Sequence, residues 1–356
     1  MRKRQTIRKS PLPACGEREP RGARIHRRSF LTLLAGAAAA SAWALPLRAR
    51  QSAPLIGFLH PTSRADIADL MAAFHKGLGD SGYAEGKNFN TEYVEYRWAE
   101  GHNISKLPEL AADLVNRRVA LIVAGGGSAA ARAVKAATES IPVVFIGGDD
   151  PVKRGLAVGL SRPGGNVTGV VFSSSELAAK RVELLKQLMP AAKMIAYLVN
   201  TDNPESVSES ASIREAARAL GIEMQYLICR AEHEIDKAFE RLSLRRADAM
   251  LVGSDPMLLA RREQVTALVA RHKIPAIYPL REFAAAGGLV SYGSSVTNAY
   301  REAGLYAARI LKGEKPADLP VLQPAKFALT INLKTAKTLG LEIPAALLKT
   351  ADEVIE

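Results

Sequence analysis

The residues best suited to gripping a small molecule lie in short polar stretches, each following an apolar, β-branched run. His60-Pro61-Thr62-Ser63 follows the first run, Gly125-Gly126-Gly127-Ser128 a later one, and Gly147-Gly148-Asp149-Asp150-Pro151 the next. Further on come Asn200-Thr201-Asp202-Asn203-Pro204-Glu205-Ser206 and Gly253-Ser254-Asp255-Pro256, and Tyr292 ends another run. Three glycines before Ser128 at a helix start can present backbone N–H groups to an anion, aided by the helix dipole. A carboxylate suits this loop better than a phosphate, because it lacks both the Walker Lys-Ser/Thr and the Gly-x-Gly-x-x-Gly pattern. The same glycines also serve a plain tight turn from strand to helix. Asp149, Asp150 and Asp255 can pair with an ammonium group once water is excluded. Asp150-Pro151 and Asp255-Pro256 equally match a helix cap followed by proline at the first helical position. His60 and Tyr292 offer rings to an aromatic ligand, or pack in core or rim. The candidate ligand-binding set is therefore His60, Ser63, Gly126, Gly127, Ser128, Asp149, Asp150, Asn200, Asn203, Ser206, Ser254, Asp255 and Tyr292.

Catalytic and metal-binding signatures are missing. The chain has no His-Glu-x-x-His, Cys-x-x-Cys or Gly-x-Ser-x-Gly, and His60, His75, His102, His233 and His272 are scattered. Binding without catalysis, cofactor or metal is the expectation. An exported enzyme with a triad assembled only in space is the rival to that reading.

These loops need elements to hold them. From Pro54 onward, short β-branched runs alternate with Ala-rich helical stretches, the pattern of an α/β fold with parallel sheets covered by helices. Strands are expected at 55–60, 88–96, 120–124, 142–146 and 166–172, with helices at 67–81, 107–117 and 128–139 between them. A second series follows Ser173-Ser174-Ser175, where Ser175 is placed to cap a helix over 176–189. Its strands are expected at 194–199, 223–228, 249–252 and 275–278, with helices at 204–220, 234–242 and 257–272. A strand at 289–292, a helix at 299–311 and a turn at 315–320 imply a return to the first unit before a final strand at 327–331 and helix at 334–339. The expected division is a first lobe of 54–172 plus about 293–322 and a second of 173–292 plus about 323–356. Two Rossmann-like lobes joined by a multi-strand hinge would then aim their strand-end loops into one cleft.

The charge excludes one class of partner. Of the formal net charge of +12, +10 falls in residues 1–50, where twelve Lys and Arg oppose only Glu17 and Glu19. The remainder, near +2, offers no basic surface for nucleic acid. Arg27-Arg28-Ser29-Phe30-Leu31 ahead of a short Ala-rich run resembles a twin-arginine export signal, carried by Arg27, Arg28, Phe30 and Leu31. The run is about 15 residues, short of the roughly 20 that span a bilayer. Cys15 precedes it and so is not placed for lipidation, and Cys229 remains alone in an apolar stretch. A soluble, disulfide-free, unanchored monomer in the periplasm is the expectation.

Further stretches are Ile56-Gly57-Phe58-Leu59, Tyr96-Arg97-Trp98-Ala99-Glu100-Gly101, Asp150-Pro151-Val152, Ser161-Arg162-Pro163-Gly164-Gly165-Asn166-Val167-Thr168-Gly169, Ala286-Gly287-Gly288-Leu289 and Ile331-Asn332-Leu333-Lys334-Thr335-Ala336-Lys337. Through these, from about Leu55 to Glu356, the chain resembles the ABC-transporter substrate-binding family of the tryptophan/phenylalanine-binding type, with the type I periplasmic binding fold. The resemblance implies a receptor that closes on a small molecule, amino-acid-like or an aromatic carboxylate, and docks on an ABC permease. An exported sensing module acting on a membrane kinase is the alternative. His60-Pro61 and Gly125-Gly126-Gly127-Ser128 depart from the family's usual first and third loops.

Overall fold

Continuous apolar runs bounded by Gly, Pro and Asn form parallel strands buried on both faces. The computed structural model describes residues 53–95, 103–172, 177–243, 245–324 and 327–356. Arg27, Arg28, Phe30 and Leu31, the stretch 96–101 and Ser173, Ser174 and Ser175 lie outside the described residues.

The first sheet has the order β2-β1-β3-β4-β5, from β1 (Leu55–His60), β2 (Asn90–Glu95), β3 (Leu121–Ala124), β4 (Val143–Gly147) and β5 (Val167–Val171). Every pair in it is parallel. Helices α1 (Ala68–Gly79), α2 (Leu107–Asn116) and α3 (Ser128–Ala137) make its crossovers.

The second sheet has the order β12-β11-β10-β9-β8-β6-β7. It comprises β6 (Met194–Val199), β7 (Glu223–Ile228), β8 (Ala249–Val252), β9 (Ala276–Tyr278), β10 (Val290–Gly293), β11 (Ala328–Asn332) and β12 (Glu353–Ile355). Its helices are α4 (Ala178–Leu188), α5 (Pro204–Ala219), α6 (Ile235–Glu240), α7 (Pro256–Ala260), α8 (Arg262–Arg271) and α9 (Arg281–Ala285), with α11 (Leu333–Leu339) and α12 (Ala345–Thr350) near the C-terminus. Strand alternation is clean in β6: Ile195, Tyr197 and Val199 join one hydrophobic cluster, while Ala196 and Leu198 join the other. Each such Leu or Ile contributes about 1.5–3 kcal/mol by leaving water.

The sheets are parallel, as expected, except at one place. β10 and β11 are antiparallel, because between them the chain leaves the second sheet and comes back from the far side. In that excursion α10 (Val296–Leu311) packs on α1 and on β3, β4 and β5 of the first sheet. Leu322 then bonds to the edge of β5, donating to the Gly169 carbonyl and accepting from the Val171 N–H. The helix expected over 257–272 is two helices, broken at Arg261 (φ −100°, ψ 23°). The short α9, α12 and β12 carried too little periodicity to be expected at all.

The topology dictates where a ligand can bind. In each sheet the strand order reverses once between neighbours whose crossovers run in opposite directions, between β1 and β3 and between β6 and β8. Such switch points leave a crevice beyond the strand ends. His60 ends β1 and Gly125 follows β3, while Asn200 follows β6 and Gly253 follows β8.

The α1–α10 contact has no room for side chains at its centre. A Cβ at Gly304 would run into the Phe74 carbonyl, and one at Gly77 into the Arg301 carbonyl. Gly304→Val should therefore lower stability by about 1–3 kcal/mol or more, read as a lower denaturation midpoint. An unchanged midpoint would show that α10 does not hold α1 this closely.

Candidate functional site

The two switch points face each other across a cavity of about 30 Å3, room for one or two waters. Its walls include His60, Gly126 and Tyr300 from the first lobe and α10, and Glu205, Ser254 and Asp255 from the second, closed by Phe172, Leu280 and Val296. A larger groove of about 550 Å3 starts at Gly148 and Asp149 and runs past Arg154 and Ser208 to Pro324 and Phe327.

On the first lobe His60 is 2% exposed. Its Nδ1 accepts from the Thr62 N–H at 3.2 Å, which leaves Nε2–H to donate to the Tyr300 hydroxyl at 2.8 Å. Burial pulls its pKa down to about 3, so the ring is neutral and packs beside Phe58, Tyr93 and Tyr300. The glycine loop beside it is forced by close approach: a Cβ at Gly126 (φ 74°) would strike the Pro61 ring. Gly127, at φ 124°, turns the chain into α3.

The group that meets the α3 N-terminus is a carboxylate of this same chain. Glu205, at the start of α5, accepts the Ser128 N–H at 2.7 Å and also the Gly148 N–H. Its loop is built locally: Asn203 caps α5 by accepting the Glu205 N–H at 3.0 Å, and Pro204 follows the cap. Burial, reinforced by the charge of Asp149, raises the Glu205 carboxyl to about 7, against the pull of the two N–H groups and Arg154.

The remaining candidates divide by partner. Asp255 is a helix cap: Oδ1 accepts the Met257 and Leu258 N–H groups, and Oδ2 accepts from the amides of Asn200 and Asn203. Its four acceptor positions are thus taken within the chain, and it braces the loop instead of presenting a carboxylate to the cavity. Burial raises its pKa. Asp149 pairs with Arg154, whose Nε lies 2.6 Å away, and burial outweighs that partner to raise the Asp149 carboxyl. Asp150 accepts the Val152 N–H at 2.9 Å and so shapes its own turn. Ser63 donates to Asp66 at 2.7 Å ahead of α1. Ser206 donates to the Ser254 carbonyl at 2.9 Å. Tyr292 packs against the second core, and its carbonyl accepts from Arg181. The structure therefore brings His60, Gly126, Ser254 and Asp255 to the cavity wall, Gly127 and Ser128 to Glu205 just beside it, and Asp149 and Asp150 to the outer groove. It keeps Ser63 and Tyr292 away from the wall.

Sequence reasoning missed the buried ion pair that braces the second-lobe loops. Arg181 on α4 and Glu209 on α5 form a fully buried ion pair. Glu209 also accepts the Ser254 N–H at 2.8 Å and the Ser254 hydroxyl at 3.2 Å, and it bonds the Tyr197 hydroxyl at 3.3 Å. Removing one partner of such a pair typically costs about 3–5 kcal/mol, because a buried charge is left alone. The one available signal was the Glu205-x-x-x-Glu209 spacing, which puts both carboxylates on the same helix face. Among the described residues no cluster of His, Cys, Asp and Glu could hold a metal ion, and no helix is long and apolar enough to cross a membrane.

The raised Glu205 carboxyl ties closure to pH. In an opened cleft it returns toward its ordinary value of 4.5, and in the closed one it titrates near 7. Closure therefore takes up a proton; this stabilisation is complete below about pH 4.5 and is lost as pH rises through about 7. The groups facing Glu205 are Asp149 and Arg154 on the first lobe, with His60 and Asp255 on the cavity wall. Asp149 shifts the same way, and neutral His60 adds no charge above about pH 4. Small-angle scattering should show a more compact particle at pH 5.5 than at pH 8.5, and the reverse order would contradict this assignment.

Known proteins share this fold. The family model described as ABC transporter substrate binding protein matches residues 57–355. A tyrosine-binding protein from Clostridioides difficile (strain R20291) is 28% identical over 288 residues, covering 81% of each chain. The solved structure of an ABC domain in complex with L-Trp from Streptococcus pneumonia superposes with a TM-score of 0.72 at 28% identity, covering 85% of this chain and all of that one. A conserved domain protein from Vibrio cholerae gives 0.73 at 25% identity, over 85% of this chain and 99% of its own. With two α/β lobes of type I periplasmic binding architecture meeting at their switch points, the chain belongs to the ABC transporter substrate binding protein family.

Proposed function

We propose that this chain is the exported receptor of an ABC importer, which binds a small amino-acid-like solute between its lobes and delivers it to a membrane permease. The observation that carries the reading is the meeting of both switch points, His60 and Gly126 on one side with Glu205, Ser254 and Asp255 on the other, around one small cavity. Two lobes linked by several chain crossings can hinge open to admit a solute too large for the closed cavity. Interactions that the solute makes only in the closed form then decide the population shift. The amino-acid class is favoured because relatives at 28% identity are described with tyrosine and tryptophan. Arg27, Arg28, Phe30 and Leu31 would route the chain to the periplasm, where it acts without a lipid anchor, as a monomer and without turnover of the solute.

Titration calorimetry against L-tyrosine, L-tryptophan, L-phenylalanine and simple aromatic acids should give saturable binding of one molecule per chain, with the solute recovered unchanged. Absence of heat with every compound would count against the amino-acid assignment.

A further inference from the structure

The lobes also meet at the lip of the cavity. Ile67 and Leu70 of the first lobe and Pro256 and Leu259 of the second line it. Charged residues stand next to them in the chain: Asp66 and Asp69 around the start of α1, and Arg261 and Arg262 where α7 breaks into α8. Across the cleft Arg261 Nη1 lies 3.5 Å from Asp66 Oδ1, and Arg262 Nη2 donates to Asp69 Oδ2 at 3.1 Å. Each of the four groups is aimed by its own lobe. Asp66 Oδ2 accepts the Ser63 hydroxyl at 2.7 Å, which leaves Oδ1 for its arginine, and Asp69 Oδ1 accepts the Leu70 N–H at 3.0 Å, which leaves Oδ2. Arg261 is held by Glu232, and Arg262 Nη1 donates to the Leu259 carbonyl at 3.3 Å. Such preorientation matters because an exposed ion pair is worth little when it must also order two long side chains.

We propose that Asp66 and Asp69 with Arg261 and Arg262 form a clasp of two ion pairs that makes when the cleft closes and breaks when it opens, so that the balance between the two forms depends on ionic strength whatever the charge of the solute. Opening leaves every local partner in place and loses only the two contacts between lobes. The pairs stay in touch with water, the Asp69 side chain being 43% and the Arg262 side chain 20% exposed, so dissolved salt screens them. Both arginines stand outside the cavity wall and are positioning residues, which act on a solute through the placement of the lobes. The clasp rests on the lobe motion of the proposed function and on no particular solute.

Single-molecule energy transfer on the mature protein reads the balance, with dyes on Glu109→Cys in the first lobe and Arg218→Cys in the second, both exposed positions. The native Cys229 is buried and takes no dye. Traces are recorded without added solute and with L-tyrosine or L-tryptophan. The closed-to-open ratio of the otherwise unchanged chain should exceed that of Arg262→Gln and that of Asp69→Asn by about two- to fivefold, with circular dichroism the same in all three. Raising NaCl from about 50 mM to about 500 mM should lower the ratio of the unchanged chain and leave that of Arg261→Gln/Arg262→Gln nearly fixed. Reversing one pair, in Asp69→Arg/Arg262→Asp, should recover most of the ratio that either single change loses. Two populations whose ratio ignores both the substitutions and the salt would overturn the clasp while leaving the lobe motion intact. A single population under every condition would overturn the lobe motion itself, and with it both the proposed function and the clasp.

Discussion

The contact between the Glu205 carboxylate and the start of α3 is the constraint from which the rest of the cleft follows. It joins the lobes at the place where both strand orders reverse, and it sets a partly positive helix terminus against a buried negative charge. For that carboxylate to come close, Gly127 must lack a side chain and take a backbone conformation that other residues avoid. For it to point across the cleft, Asn203 must cap α5 with Pro204 next in line. The His60 ring, neutral through burial and pinned between Thr62 and Tyr300, forms the wall beside the glycine loop.

Behind this contact lies a second network that fixes the opposing loop. Glu209, one helical turn beyond Glu205, holds Arg181 on one side and Ser254 on the other. Asp255 then ties Asn200 and Asn203 to the start of α7. The loops after β6 and β8 are thereby locked to α5, and Glu205 rides on a rigid support. Buried charge is costly to hold this way, and here Glu209 joins α5 to α4 and to the loop after β8.

Much of the fold was legible because buried parallel strands are short apolar runs with Gly, Pro or Asn at their ends. β1, β3, β6, β7 and β8 fall within a residue of where those runs lie. The elements that escaped, α9, α12 and β12, span three to six residues, too few for either period to register. In the site, the strand-end loops could be picked out from sequence, but their partners could not. Ser128 and Glu205 are 77 residues apart, and His60 and Tyr300 are 240 apart. Asp255 matched both a cap and an ammonium partner on sequence alone, and only the positions of Asn200, Asn203, Met257 and Leu258 show all its acceptor sites in use. The glycine loop suits either a carboxylate arriving from outside or a plain tight turn, and nothing local indicates that α5 brings a carboxylate of its own.

The hydrogen bond from the Ser128 N–H to Glu205 is the contact on which this account of the cleft rests, and that amide is the place to look. Residue-resolved hydrogen exchange reads it without any ligand. In the protein without added solute, the Ser128 amide should exchange slowly, and Glu205→Ala should speed it while leaving the amides of β1 and β6 unchanged. Equal Ser128 exchange in wild type and variant would contradict the Glu205–Ser128 contact as the one that joins the lobes.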